Sequence, residues 1–227
     1  MKRIGMLVAV DREMLSVFER FGEAGEKVSY PGFEVLTYRN DTYVLYIVRS
    51  GAGEIAAAAA TQFLISVIHV DMVLNFGVVG GLTEEMARAK LCVVEKVVHY
   101  DFDTSPIDRT RVGQYLELPD EFIPVDRELL DTVSALRPDL KHVVCASGDK
   151  FVADPAKKAA LHEMFGADIC EMEAAAIALT CYRCEMPCLL MKAVSDGLTD
   201  GTTDFAEGLR IAATLALETL DELIREL

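Results

Sequence analysis

The chain has 227 residues, 52% of them apolar, and 22 Lys plus Arg against 37 Asp plus Glu give a formal net charge of −15. That length holds one large domain or two small ones with an ample core. The charge is the opposite of what a duplex-binding protein needs to displace counterions, and an acidic membrane leaflet repels it, so neither nucleic acid nor membrane is expected as a partner. Trp is absent and aromatic residues make up only 7%, which leaves the packing to aliphatic side chains and Ala.

Strand and helix patterns alternate along the chain. The opening MKRIGMLVAVDREM is basic and then apolar, like a signal peptide. Its apolar part is too short, however, and Asp11-Arg12-Glu13 closes it without an A-x-A site. Residues 2–10 therefore read as the first buried strand of a cytoplasmic protein, and 12–21 as a helix. Residues 33–39 and 43–49 read as paired strands turning at Asn40-Asp41. The Ala-rich stretch 53–68 reads as a helix, 72–76 as a short buried strand, and 91–100 as a long β-branched strand. Residues 101–125 are richer in Asp, Arg, Pro and Gly and read as a long loop, of the kind that often carries function. Then come a helix at 127–136, a strand at 142–146 and a helix at 155–165. A strand at 167–170 leads straight into a helix over 171–184, followed by a strand at 187–194 and a final amphipathic helix at 205–227. Near-continuous apolar strands alternating with helices predict an α/β protein with a largely parallel sheet buried on both faces. No repeat divides the chain, and residues 1–227 are expected to form a single domain.

Six cysteines occur, Cys92, Cys145, Cys170, Cys181, Cys184 and Cys188. Reduced thiols are expected without a secretory signal. Cys181-x-x-Cys184-x-x-x-Cys188 has a metal-like look, but zinc takes four ligands, often as two separated pairs. Neither a second pair nor a nearby His follows, so no metal is expected.

In open α/β sheets, ligands bind beyond the carboxyl ends of the strands. Those ends run into Asp11-Arg12-Glu13, Asn75-Phe76-Gly77-Val78-Val79-Gly80-Gly81, Ser147-Gly148-Asp149, Glu171-Met172-Glu173 and Ser195-Asp196-Gly197. Four of the five carry acids and the other carries glycines. Each acid alone suits a helix cap or a first helical turn. Together they suit polyol recognition and proton transfer, since carboxylates accept from ribose hydroxyls and a crowded or buried carboxyl keeps its proton near neutrality. Gly77-x-x-Gly80-Gly81 fits a plain turn and lacks both the dinucleotide and the phosphate-loop spacing. Gly51-Ala52-Gly53 resembles an anion cradle at a helix N-terminus. No G-x-S-x-G nucleophile elbow exists. His69, His99, His142 and His162 are scattered, and only His99, heading the long loop, is as well placed for function as for scaffold.

Taken in order, these strand ends resemble the 5′-methylthioadenosine/S-adenosylhomocysteine nucleosidases of the purine nucleoside phosphorylase-like superfamily. The carriers are Glu13 after the first strand, Ser50-Gly51-Ala52-Gly53, Asn75-x-Gly77-x-x-Gly80-Gly81, Ser147-Gly148-Asp149-x-Phe151, Glu171-Met172-Glu173-Ala174 and Ser195-Asp196. The resemblance covers nearly the whole chain. It implies a three-layer α/β/α fold around a mixed, largely parallel twisted sheet, a homodimer, no cofactor, and hydrolysis of an adenine N-glycosidic bond. By the same resemblance Asp196 is the general acid toward adenine N7, with Ser195 orienting it. Glu13 is the base for the attacking water, and Glu173 binds the ribose with Glu171 and Met172 beside it. Phe151 stacks on adenine, the Val152 backbone pairs with its edge, and Val79 and Gly80 form the opposite wall.

Three departures stand out. Val78 and Val79 replace smaller residues of the family, and Lys192 replaces an Arg near the water, keeping the charge but losing the bidentate fork. Residues 99–124 match only loosely. The rival readings are a phosphate-dependent phosphorylase, a futalosine-type nucleosidase and a nucleoside-binding protein without turnover. A phosphorylase needs donors for its anion where this chain has Asn75 and Val78, and a buried phosphate without them is poorly compensated.

Overall fold

β1 (Lys2–Val8) shows how the molecule is layered. Side chains along a strand alternate between faces. Ile4, Met6 and Val8 accordingly join one buried cluster while Leu7 joins another. The same split recurs in β4 (Tyr43–Arg49) and in β10 (Cys188–Asp196), every residue of which is buried. One face of the sheet is covered by α2 (Glu54–Phe63) and α6 (Ala174–Arg183). The other is covered by α1 (Asp11–Phe21), α4 (Arg127–Leu136) and α7 (Thr202–Glu226). The computed structural model describes residues 1–87, 90–198 and 202–226, the stretch 202–210 by its backbone alone.

The remaining strands are β2 (Glu26–Tyr30), β3 (Phe33–Arg39), β5 (Met72–Gly81), β6 (Leu91–His99), β7 (Phe122–Pro124), β8 (Lys141–Ser147) and β9 (Ile169–Glu171). They form one mixed sheet in the order β10-β6-β8-β9-β5-β1-β4-β3-β2, with β7 on the edge of β6. β10 also pairs with β5, so part of the sheet closes on itself. Of the strands that end at the site, β1, β5 and β10 run parallel to one another and β9 runs antiparallel to β5. The expected α/β class with a mixed sheet is what forms. α3 (Ser105–Asp108) and α5 (Pro155–Phe165) complete the helices. Asp126 caps α4 by accepting from the Leu129 amide, and Asp154 caps α5 ahead of Pro155.

Several elements differ from the sequence expectation. β2 was not anticipated, because it is a short, mostly exposed edge strand whose apolar alternation is diluted by Glu26 and Lys27. The helix expected over 53–68 ends as an α-helix at Phe63 and finishes in a π-helical turn, Leu64–Ile68. The long loop contains α3 and β7 and is pinned by stacked Phe102 and Tyr115 rings, 4.2 Å apart. The last helix begins at Thr202 rather than 205, and residue 227 lies outside the described residues. The largest difference is in β5, which continues through Gly81 instead of turning after Phe76. Its glycines are strand residues squeezed by neighbours: a Cβ on Gly81 would sit 1.9 Å from the Met86 carbonyl oxygen.

Candidate active site

The register of β5 against β10 sets Gly77 opposite Lys192 and Gly80 opposite Asp196. Both glycines make room for charged groups. A Cβ at Gly77 would lie 3.1 Å from Glu13 Oε1 and 3.5 Å from Lys192 Nζ. A Cβ at Gly80 would lie 3.3 Å from Asp196 Oδ2 and 3.5 Å from Lys158 Nζ. The glycine spacing therefore marks two points where side chains from other elements press against bare backbone.

Glu13 stands in the first turn of α1. Its Oε2 accepts from the Ala9 and Val10 amides, both at 3.2 Å, and its Oε1 accepts from the Val78 amide at 3.0 Å. It is thus a helix-capping acid and a pocket residue at once. Burial raises its pKa above the usual carboxylate range, and the Val78 amide and the Lys192 charge oppose that rise.

Glu171 and Glu173 flank the junction of β9 and α6. Glu171 accepts from the Glu173 and Ala174 amides and from the Lys192 ammonium at 3.0 Å. Burial alone would raise this carboxyl, but Lys192, the Ser147 hydroxyl and the Ala174 amide outweigh it and hold it below its ordinary value. Burial alone would likewise lower the Lys192 ammonium, and Glu171 more than reverses that. Glu173 Oε1 accepts from the Gly53 amide at 2.8 Å, so the glycine cradle at 51–53 holds a carboxylate of the chain itself. Burial and the nearby Glu171 charge push Glu173 up to about 7. Glu54 was not singled out from the sequence, where it reads as an ordinary first-turn acid. It is buried behind Glu173, accepts from Ser147 Oγ at 2.5 Å and from the Ala176 amide at 2.6 Å, and is pushed up to about 8 by burial and Glu171.

Asp196 closes the other end. Its Oδ1 accepts from Ser195 Oγ at 2.9 Å and its Oδ2 from Lys158 Nζ at 2.7 Å. Lys158 also escaped the sequence reading, because a lysine in the run Lys157-Lys158 of a weakly amphipathic helix looks like solvated surface. Its side chain is 0% exposed.

One pocket, about 120 Å³ in volume, gathers Glu13, Glu171, Glu173 and Asp196. Val79, Gly80, Phe151, Val152 and Met172 line it as well. Ala9, Val10, Ala52, Val78, Lys150 and Cys170 complete the wall and were not anticipated as site residues. Lys192 and Ser195 are not in the wall; they sit behind it, each against one carboxylate. His99 accepts or donates at Tyr115 Oη, 2.7 Å away, and pairs with Asp101 at 3.0 Å, which anchors the long loop. A roomier cavity of about 300 Å³ lies between α4 and α7, lined by Val133, Arg137 and Leu223 among others, away from the convergent acids. The pocket at the strand ends is the one with the chemistry.

An apolar-walled pocket into which four carboxylates, three of them buried, converge from the carboxyl ends of the sheet's strands is the layout of a nucleoside-processing α/β enzyme. The family model described as "Phosphorylase superfamily" matches residues 3–225. The 5′-methylthioadenosine/S-adenosylhomocysteine nucleosidase of Psychromonas ingrahamii is 30% identical, covering 99% of each chain. The aminodeoxyfutalosine nucleosidase of Campylobacter jejuni is 27% identical over 98% of this chain and all of its own. The crystal structure of the Helicobacter pylori 5′-methylthioadenosine/S-adenosylhomocysteine nucleosidase with butyl-thio-DADMe-Immucillin-A superimposes with a TM-score of 0.93 at 28% identity, covering 100% of this chain and 99% of that one. The chain therefore belongs to the phosphorylase superfamily and, within it, to the 5′-methylthioadenosine/S-adenosylhomocysteine nucleosidase family. It is an enzyme that hydrolyses a nucleoside.

Proposed function

We propose that the protein hydrolyses the N-glycosidic bond of 5′-methylthioadenosine, S-adenosylhomocysteine or a related adenosine derivative and releases adenine. Asp196 protonates N7 so that the base leaves neutral. Glu13 holds the attacking water and takes its proton, a role suited to a carboxyl raised by burial toward neutrality. Glu173 binds the ribose hydroxyls and faces the positive charge that grows on the sugar. Val79 and Phe151 supply apolar walls for the base, and Lys192 and Ser195 hold Glu171 and Asp196 in place.

One observation carries water over phosphate as the nucleophile. The Ala9, Val10 and Val78 amides are already taken by the Glu13 carboxylate. A phosphate there would meet a negative charge where it needs donors. Adenine release from 5′-methylthioadenosine, followed by chromatography with and without inorganic phosphate, tests this reading. The expected products are adenine and free methylthioribose at a rate independent of phosphate. A sugar 1-phosphate product would overturn it. The name of the Campylobacter relative, aminodeoxyfutalosine nucleosidase, adds aminodeoxyfutalosine as a second candidate substrate for this chain, and a panel of nucleosides differing at the 5′ position ranks the two.

Residues 1–227 act as one unit in this reading, supported by a single sheet that runs from β1 to β10. A homodimer is supported by exposed apolar side chains on α2 and the long loop, Ile55 and Ile107 at 84% and Leu116 at 71%. Light scattering that returns a monomer mass would count against it.

A further inference from the structure

Lys158 contributes a buried charge for which the mechanism above has no use. Its Nζ donates to Asp196 Oδ2 and to the Gly197 carbonyl oxygen, each at 2.7 Å. Stability is a poor explanation for such a pair, because apolar residues of matching volume often serve a core as well or better. The geometry offers another. Gly80 lines the pocket, and the space its missing Cβ leaves open is bordered by both Asp196 Oδ2 and Lys158 Nζ. The second donor on Asp196, the Ser195 hydroxyl, orients the carboxylate but is far too weak an acid to supply a proton. An ammonium carries three protons and can release one.

We propose that Lys158 is the proton source behind Asp196, so that the two residues deliver a proton to the departing base as a relay. The inference rests on Asp196 being the general acid. Lys158 Nζ passes a proton to the Asp196 carboxylate at Oδ2, and Asp196 hands it on to N7 as the C–N bond breaks and its electron pair moves to the base. The carboxylate is thus regenerated, Lys158 is left as a neutral amine, and water reprotonates it when the products leave. Lys158 touches no reacting atom. It is a positioning residue that acts through Asp196.

The test compares two substrates, 5′-methylthioadenosine and 4-nitrophenyl 5-methylthioriboside, whose nitrophenolate leaves without protonation. Lys158→Met is expected to lower kcat on the nucleoside by about 10²-fold or more, the usual share of general acid catalysis, and on the nitrophenyl riboside by less than about tenfold. Lys158→Arg keeps the cation and its hydrogen bonds but cannot release a proton, so it is expected to show the same selective loss. Full rescue by Arg, or equal loss on both substrates, would overturn the relay and leave Lys158 a structural partner. If K158M fails to fold by circular dichroism, K158R and K158Q carry the comparison. Asp196→Asn separates the two readings. A selective loss in D196N without one in the Lys158 variants refutes the relay alone. No selective loss in D196N refutes Asp196 as the acid.

Discussion

Glu13 and Asp196 sit at two ends of one pocket, both almost fully buried, and the protein satisfies them in different ways. Glu13 rests on three backbone amides. Asp196 rests on an ammonium and a hydroxyl. Amides fix a carboxylate and have no proton to give, whereas an ammonium can exchange one. The first end suits a base whose position must not change while water is held against the sugar. The second suits an acid whose proton must be replaced. In the proposed mechanism, two carboxylates of similar burial thus take opposite roles from the donors around them.

The largest expected effect breaks the Glu13 end. Glu13→Gln keeps the size but sets an NH₂ against amides that need an acceptor, and it removes the proposed base. Adenine release should fall by about 10² to 10⁴-fold, the range for general base catalysis, with the fold retained by circular dichroism. A variant that turns over like its parent would show that Glu13 only caps α1. Next comes Lys192, the other buried lysine. Lys192→Met leaves Glu171 buried without its cation, which should cost about 3–5 kcal/mol of stability, read as a lower urea midpoint. An unchanged midpoint would mean that the Ser147 hydroxyl and Ala174 amide suffice for Glu171.

A further effect concerns the acids that keep their protons. Glu54, held near 8 against 4.5 when unfolded, binds a proton in the folded state over a window where the unfolded chain has lost it. Stability therefore falls as pH rises from about 4.5 toward 8, by at most about 1.4 kcal/mol per pH unit for this group. Glu173, held near 7, adds the same sign over a narrower window. Glu54→Gln should flatten the decline in melting temperature between pH 5 and 8, and Glu171→Gln, which removes the charge that helps to raise Glu54 and Glu173, should flatten it in part. Parallel melting curves for E54Q and the parent would sink the assignment of Glu54 as a proton-bearing group.

Much of this was legible in the chain. Alternating apolar periods announced an α/β sheet buried on both faces, and the acids after β1, β9 and β10 marked the residues that meet in the pocket. The spacing Gly77-x-x-Gly80-Gly81 was visible, but its reason was not. Those glycines are required by Glu13, Lys192, Asp196 and Met86, which come from other parts of the chain and crowd β5 only after folding. Glu54 and Lys158 gave no warning, because a first-turn Glu and a helical Lys are ordinary on a solvated face.

What the sequence determined alone was local: strand and helix periods, capping residues such as Asp126 and Asp154, and which strands end in acids. These follow from backbone preference and side-chain alternation within a few residues. Tertiary structure decided which carboxylate is ionised and which keeps its proton, because that depends on burial and on donors far away in sequence. Lys192 reaches Glu171 across 21 positions, and Gly53 reaches Glu173 across 120. A charge is settled by what surrounds it in space, and only the folded chain supplies those surroundings.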